Sequence, residues 1–191
     1  MGIIGKDFKY KVIKNFLSPE VAELLCGHTK IKHSLEQSME PINNTHLNTL
    51  DTSLYGDPVM ETAMMMKKKH MEEITGKKLF PTYTLWRMYT QYSELPPHKD
   101  RPSCEISVTV NLGSDGTKWP IFVEGTPCEL EAGDAVIYLG CDLKHWREEF
   151  KGDWCSQVFM HYVDKEGPNK EWFLDKRYCL GAPGVIRSKK K

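Results

Sequence analysis

The hydrophobic pattern changes period twice along the chain. FKYKVIKNF, residues 8–16, alternates polar and apolar side chains as a half-buried strand does. Ser18 followed by Pro19 reads as a helix start, because serine can cap the first free N–H groups and proline suits the first helical position. The helix that follows covers EVAELLCGHTKI, residues 20–31. Residues 34–58 carry Pro41, Asn43, Asn44, Asp51, Gly56 and Pro58 and predict an irregular or partly helical connection. METAMMMKKKHMEEITG, residues 60–76, predicts a second helix ending at Gly76, with its methionines as core filling.

Beyond Pro81 the period falls to two. TYTLWRMYT, SCEISVTVNL, WPIFVE, CELEAG, DAVIYL and WCSQVFMHYV are short and rich in β-branched and aromatic residues, with turn signals such as GSDG and EGTP between them. Many short strands at close spacing predict a sandwich, barrel or jelly roll. In EISVTVNL, Glu105, Ser107, Thr109 and Asn111 share one face while Ile106, Val108 and Val110 share the other. The expected organisation is one mainly β, α+β domain over residues 1–191. An N-terminal strand and helical support occupy 1–80, the β core 81–165, and a C-terminal extension 166–191.

Composition narrows the classes. The 26 basic residues balance the 26 acidic ones, so no global field favours a nucleic-acid or membrane partner. The basic tail IRSKKK reads as a solvated end. Six cysteines stand without a C-x-x-C pair, which argues against a structural zinc knuckle. With no signal peptide and no long apolar run, a cytoplasmic protein with reduced thiols is the expectation.

Chemistry concentrates in LPPHKDRPSCEISVTVNLG, residues 95–113. His98 and Asp100 are two apart, so in extended backbone both project from one face and can share an ion. A third ligand has to come from elsewhere in the β core. His145, after the turn at Gly133–Asp134 and the strand AVIYL, is placed across from the first pair. His161, within the aromatic stretch FMHYV, is the competing choice and reads more simply as a buried, hydrogen-bonded histidine. Two histidines and one carboxylate on one side of an ion leave the opposite positions open, as in non-haem Fe(II) oxygenases.

Several of these pieces together resemble the iron(II)/2-oxoglutarate-dependent dioxygenases, close to the prolyl-4-hydroxylase-like branch. They are VIKNFLSPEVAELL, then WRMYTQYSELPPHKD, AGDAVIY before His145, and SQVFMHYV. The resemblance implies a double-stranded β-helix with Fe(II) held by His98, Asp100 and His145 at one mouth. It further implies 2-oxoglutarate and O2 as co-substrates, with succinate and CO2 released as a substrate C–H bond is hydroxylated. The substrate is expected to be a peptide or a small molecule. Where that pattern places a basic residue for the far carboxylate of 2-oxoglutarate, this chain has Cys155. Arg147 is the first replacement, since an extended segment would turn it to the side of His145, and Arg87 the second. By analogy Tyr89, Thr109, Asn111 and Gln157 complete the co-substrate pocket, while Arg101, Glu105 and Trp119 are candidates for substrate contact. Arg101 and Glu105 could equally pair with each other, and Trp119 and Trp146 could be core aromatics. The alternative is a cupin-like protein that holds a divalent ion without turnover, and the presence of an internal cation facing the ion discriminates the two.

Overall fold

The computed structural model describes residues 9–38 and 51–182. The opening MGIIGK, Pro41, Asn43, Asn44, His46 and the tail IRSKKK lie outside these residues. β1 spans Tyr10–Ile13 and leads into helix α1, Pro19–Ser38, which runs seven residues past the expected end. β2, Thr52–Tyr55, is a strand within the connection expected to be irregular. Helix α2, Pro58–Thr75, starts where the Asp57 carboxylate accepts the Val59 N–H at 2.9 Å and Pro58 takes the first position. It stops at Gly76, whose φ of 68° permits the left-handed turn that returns an N–H to the Glu72 carbonyl.

The strands that follow are β3, Leu79–Thr90; β4, Leu95–His98; β5, Ile106–Ser114; β6, Ile121–Val123; and β7, Thr126–Cys128. They are completed by β8, Ala135–Leu139; β9, His145–Arg147; and β10, Trp154–Asp164. The strand expected from CELEAG ends instead at Cys128, and the chain turns through Glu131–Asp134 with the Asp134 N–H on the Glu131 carbonyl. β4 and β9 had no counterpart among the expected strands.

All pairings are antiparallel and form a six-stranded sheet, β1-β8-β5-β10-β3-β2, and a four-stranded sheet, β4-β9-β6-β7. Period-two alternation gives the large sheet two different faces. Val108 and Val110 of β5, Val158 and Met160 of β10 and Trp86 and Met88 of β3 pack outward against Leu25 of α1 and Met60 and Met64 of α2. Burying such side chains stabilises by about 1.5–3 kcal/mol each, which is what fastens the helices to the sheet. The opposite face looks toward the small sheet. There Val136 and Tyr138 of β8 meet Ile121 and Val123 of β6 and Cys128 of β7. This is the double-stranded β-helix architecture, with the polar stripe of β5 turned into the space between the sheets.

The segment after β10 folds back as a 3-10 turn, Lys170–Lys176, and is fastened by Arg177. The Arg177 guanidinium is fully buried, pairs with Glu61 at 2.5 Å, and donates to the Thr82 carbonyl at 2.8 Å. A groove of about 850 Å3 lies between α2 and this segment, lined by Met65, Phe80 and Phe173, and contains none of the histidines discussed below. No described helix is long and apolar enough to cross a membrane.

Candidate active site

β4 and β9 form the mouth of the barrel. Pro96 and Pro97 cannot donate to a ladder, so β4 registers with β9 only at its ends, Leu95 opposite Arg147 and His98 opposite His145. That register brings the two imidazoles together, with centroids 4.2 Å apart and the rings tilted by 57°. Nδ1 of His98 lies 2.8 Å from the Pro96 carbonyl, and Nδ1 of His145 lies 3.0 Å from the Leu143 carbonyl. A carbonyl can only accept, so Nδ1 carries the proton in both neutral rings and the Nε2 lone pair is left as a ligand. The two Nε2 atoms are 3.7 and 3.5 Å from the same oxygen, Oδ1 of Asp100.

The second oxygen of Asp100 accepts the Ser107 hydroxyl at 2.8 Å, and its backbone N–H donates to the Gly140 carbonyl at 2.8 Å. Burial alone would discourage ionisation of Asp100. The Ser107 hydroxyl and the polar surroundings of the imidazoles outweigh it and keep the carboxyl below the usual carboxylate range. Gly140 has no alternative here, because a Cβ would run into Asp100 Oδ2, the Cys104 carbonyl and Ser107 Oγ.

The donor set fits a divalent transition ion. Two ligands each about 2.1 Å from one ion are separated by roughly 3.0–3.4 Å, close to the spacings here. Neutral imidazoles and one anionic oxygen suit Fe(II), and the three donors come from one side. His161, the competing ligand, is buried on the inner face of β10 with its Nδ1 3.0 Å from Ser107 Oγ. Burial pushes it down to about 4, which leaves it uncharged at neutral pH. It forms with Asp100 and Cys104 a second group of donors within reach of one another, but Cys104 is already in a 3.1 Å contact with the Tyr83 hydroxyl.

Arg147 is two residues beyond His145 on β9, and extended backbone puts both buried side chains on one face, with Trp146 between them stacked outward on Phe122. Only 2% of Arg147 is exposed. Its guanidinium donates to the Trp119 carbonyl and, at 2.9 Å, to Gln157 Oε1, and it lies 4.6 Å from the Trp119 ring centroid. All of these partners are neutral. Its Nε is a buried donor with no acceptor among the described residues. Burial lowers its proton affinity, yet a guanidinium stays charged in protein interiors. The result is a buried positive charge with one hydrogen bond to spare, facing the space between the sheets.

Arg87 is differently placed. Its guanidinium meets Asp51 through Nε at 3.0 Å and Nη2 at 2.7 Å, and the other Asp51 oxygen accepts the Thr90 N–H and the Ser93 hydroxyl. Its charge is therefore taken up by a structural pair with Asp51. Tyr89 is buried edge-on to Trp119, centroids 4.8 Å apart. Thr109 Oγ1 is 3.3 Å from the Tyr138 hydroxyl. Asn111 donates to the Leu130 carbonyl at 2.7 Å and accepts the Gly113 N–H, so much of its side chain holds a turn. Gln157 links Arg147 to Cys155, with Nε2 3.1 Å from the sulfur.

At the outer side, Arg101 and Glu105 do not pair with each other. Arg101 makes a two-pronged bond to Asp175 at 2.9 and 2.8 Å, and Glu105 accepts the Asp164 N–H at 3.2 Å. Trp119 donates its indole N–H to the Glu148 carbonyl at 2.7 Å. Four residues of the site were not singled out from sequence. Ser107 was legible from the alternation of β5, and Tyr138 from the strand before His145. Gly140 and Asp175 carry no local signal, since each matters through a contact made across the fold.

No model of a known protein family matches the chain, and no curated protein sequence does either. Solved structures do match. A prolyl-4-hydroxylase from Pseudomonas putida superposes with a TM-score of 0.61 at 13% identity, covering 83% of this chain and 94% of that one. A viral collagen prolyl hydroxylase from Paramecium Bursaria Chlorella virus-1, in complex with 2-oxoglutarate, gives 0.62 at 11% identity, over 83% and 97%. HygX from Streptomyces hygroscopicus, with nickel and 2-oxoglutarate bound, gives 0.62 at 9% identity over 83% and 84%. The structural neighbours are thus prolyl-4-hydroxylases and other 2-oxoglutarate/Fe(II) oxygenases, and the fold is theirs.

Proposed function

We propose that this protein is an Fe(II)- and 2-oxoglutarate-dependent oxygenase that hydroxylates a C–H bond of a peptide or small-molecule substrate. The observation that carries the reading is Arg147, a buried cation with neutral partners and an unused Nε on the strand that also supplies His145. A buried charge without a counter-ion costs several kcal/mol, and a carboxylate delivered by a ligand removes that cost with a forked pair of hydrogen bonds. A protein that merely held an ion would have no use for such a residue.

His98, Asp100 and His145 would hold the iron, with Ser107 fixing the carboxylate and the Pro96 and Leu143 carbonyls fixing the imidazoles. The bound metal and 2-oxo acid together supply O2 activation coupled to oxidative decarboxylation. The chain's own part is to bind and orient. Arg147 takes the far carboxylate, Thr109 and Tyr138 place hydroxyls along the path between Arg147 and the triad, and Tyr89 and Trp119 cover Arg147 and keep water away.

The test is anaerobic titration of the metal-free protein with Fe(II) and then 2-oxoglutarate, following the visible metal-to-ligand charge-transfer band. A band that saturates at equal amounts of each is the expected result, and iron binding without a band sinks the reading. Arg147→Ala should weaken 2-oxoglutarate binding by roughly 30- to 4000-fold, the equivalent of about 2–5 kcal/mol for a buried charge pair losing one partner. Equal dissociation constants for the two proteins would take Arg147 out of the pocket.

A further inference from the structure

We propose that the co-substrate pocket is open at its far end, so that this protein takes 2-oxo acids longer than 2-oxoglutarate, with Cys155 setting the accepted length. The proposal rests on the reading of Arg147 given above. Along the inner face of β10, His161, Phe159, Gln157 and Cys155 follow one another away from the metal ligands. Gln157 meets Arg147, and Cys155 is the next residue on that face. There the packing gives way to a cavity of about 410 Å3, lined by Cys155, Gln157, Asn111 and Trp119 and edged by Lys14 and Lys118. Its outer side opens to solvent, where Gly116, Lys118 and Glu131 are exposed, and its buried end is formed by Cys155, Gln157 and Asn111.

The cavity and the Arg147 site share walls. Gln157 and Trp119 line the cavity and are also the two residues that hold the guanidinium. A five-carbon acid brings its far carboxylate to Arg147. A longer one carries that carboxylate past Gln157, and Arg147 can follow because its present partners belong to the cavity wall. Polar groups are available to receive it. Asn111 and Gln157 are both more than nine-tenths buried, and each amide uses one N–H, on the Leu130 carbonyl and on the Cys155 sulfur, leaving a second. The lysines at the edge are already matched, Lys14 by Asp134 and Lys118 by Glu129, so the charge that selects an acid is Arg147. The short thiol of Cys155 keeps the space open, and a larger apolar side chain there fills it.

The experiment is calorimetric titration of the full chain loaded with Mn(II), which binds without turnover, using 2-oxoglutarate and then the six-carbon 2-oxoadipate. Binding of the two acids within about tenfold of each other is expected, since a closed pocket penalises an extra methylene by roughly 10- to 200-fold. Cys155→Leu should then move the ratio at least about tenfold toward 2-oxoglutarate. If the Cys155→Leu variant does not fold, judged by circular dichroism, Cys155→Met is read in the same way. Binding of 2-oxoglutarate with 2-oxoadipate more than tenfold weaker overturns the proposal, as does an unchanged ratio in the filled variant. Binding of neither acid overturns the oxygenase reading itself.

Discussion

Arg147 and His145 are neighbours on one strand but face opposite electrostatic problems. A guanidinium at 2% exposure keeps its charge and waits for an anion. The Leu143 carbonyl instead takes the Nδ1 side of His145 and turns Nε2 toward Asp100. The same distinction separates His145 from His161. Both are buried and both lie near Asp100, but only His145 presents Nε2 to the oxygen that His98 also faces. His145→Ala should therefore abolish stoichiometric Fe(II) binding, while His161→Ala should leave it in place, as measured by metal content after gel filtration. The reverse result would assign the third ligand to the Asp100–Cys104–His161 group.

At the scale of elements, the site depends on how closely the turn after β8 approaches the loop after β4. Gly140 is where they touch, with its carbonyl on the Asp100 N–H and its N–H on the Glu105 carbonyl. Gly140→Ala would drive a methyl group against Asp100, Cys104 and Ser107, so Asp100 must move. Metal affinity should fall by about 10- to 100-fold, as it does when groups supporting a ligand are disturbed. Wild-type affinity in that variant, by competition with a metal indicator, would show that the turn can yield. The junction of α2 and β3 makes a different prediction. Glu72 accepts Lys68 Nζ at 2.6 Å and the Leu79 N–H at 3.0 Å. Partial burial opposes its ionisation, but these bonds prevail and lower it from 4.5 to about 2. A carboxylate depressed on folding stabilises above its unfolded value, and that contribution is lost as pH falls from about 4.5 toward 2. Glu72→Gln should be less stable than wild type at pH 6, with the gap closing by pH 2.5, in urea titrations at the two pH values.

Across the whole molecule, the C-terminal segment ties the helical layer to the mouth of the barrel. Arg177 joins Glu61 of α2 to the Thr82 carbonyl of β3, and two residues earlier Asp175 grips Arg101, the neighbour of Asp100. Tyr55 of β2 donates to Asp175 as well, at 2.6 Å. Removing one partner of a fully buried ion pair leaves the other charge stranded, at a cost of about 3–5 kcal/mol. Arg177→Ala should lower the urea midpoint accordingly, and hydrogen exchange should show the Lys170–Lys176 turn opening first. Loss of less than about 1 kcal/mol would mean that water or a neighbouring group replaces the guanidinium.

The alternation of EISVTVNL, the proline and glycine boundaries of α2, and the two-residue spacing of His98 and Asp100 are local properties, and they were legible because strand and helix periods are local. The same holds for Arg147, since its relation to His145 needs only an extended backbone between them. Other decisions belong to the tertiary structure. β2, β4 and β9 are too short or too proline-rich to show a period, and become strands because a partner supplies their hydrogen bonds. In sequence, Arg87 and Arg147 were both candidates for the same role. Asp51 lies 36 residues before Arg87 and neutralises it, whereas no described carboxylate reaches Arg147, and only the folded chain decides which charge is left for a ligand.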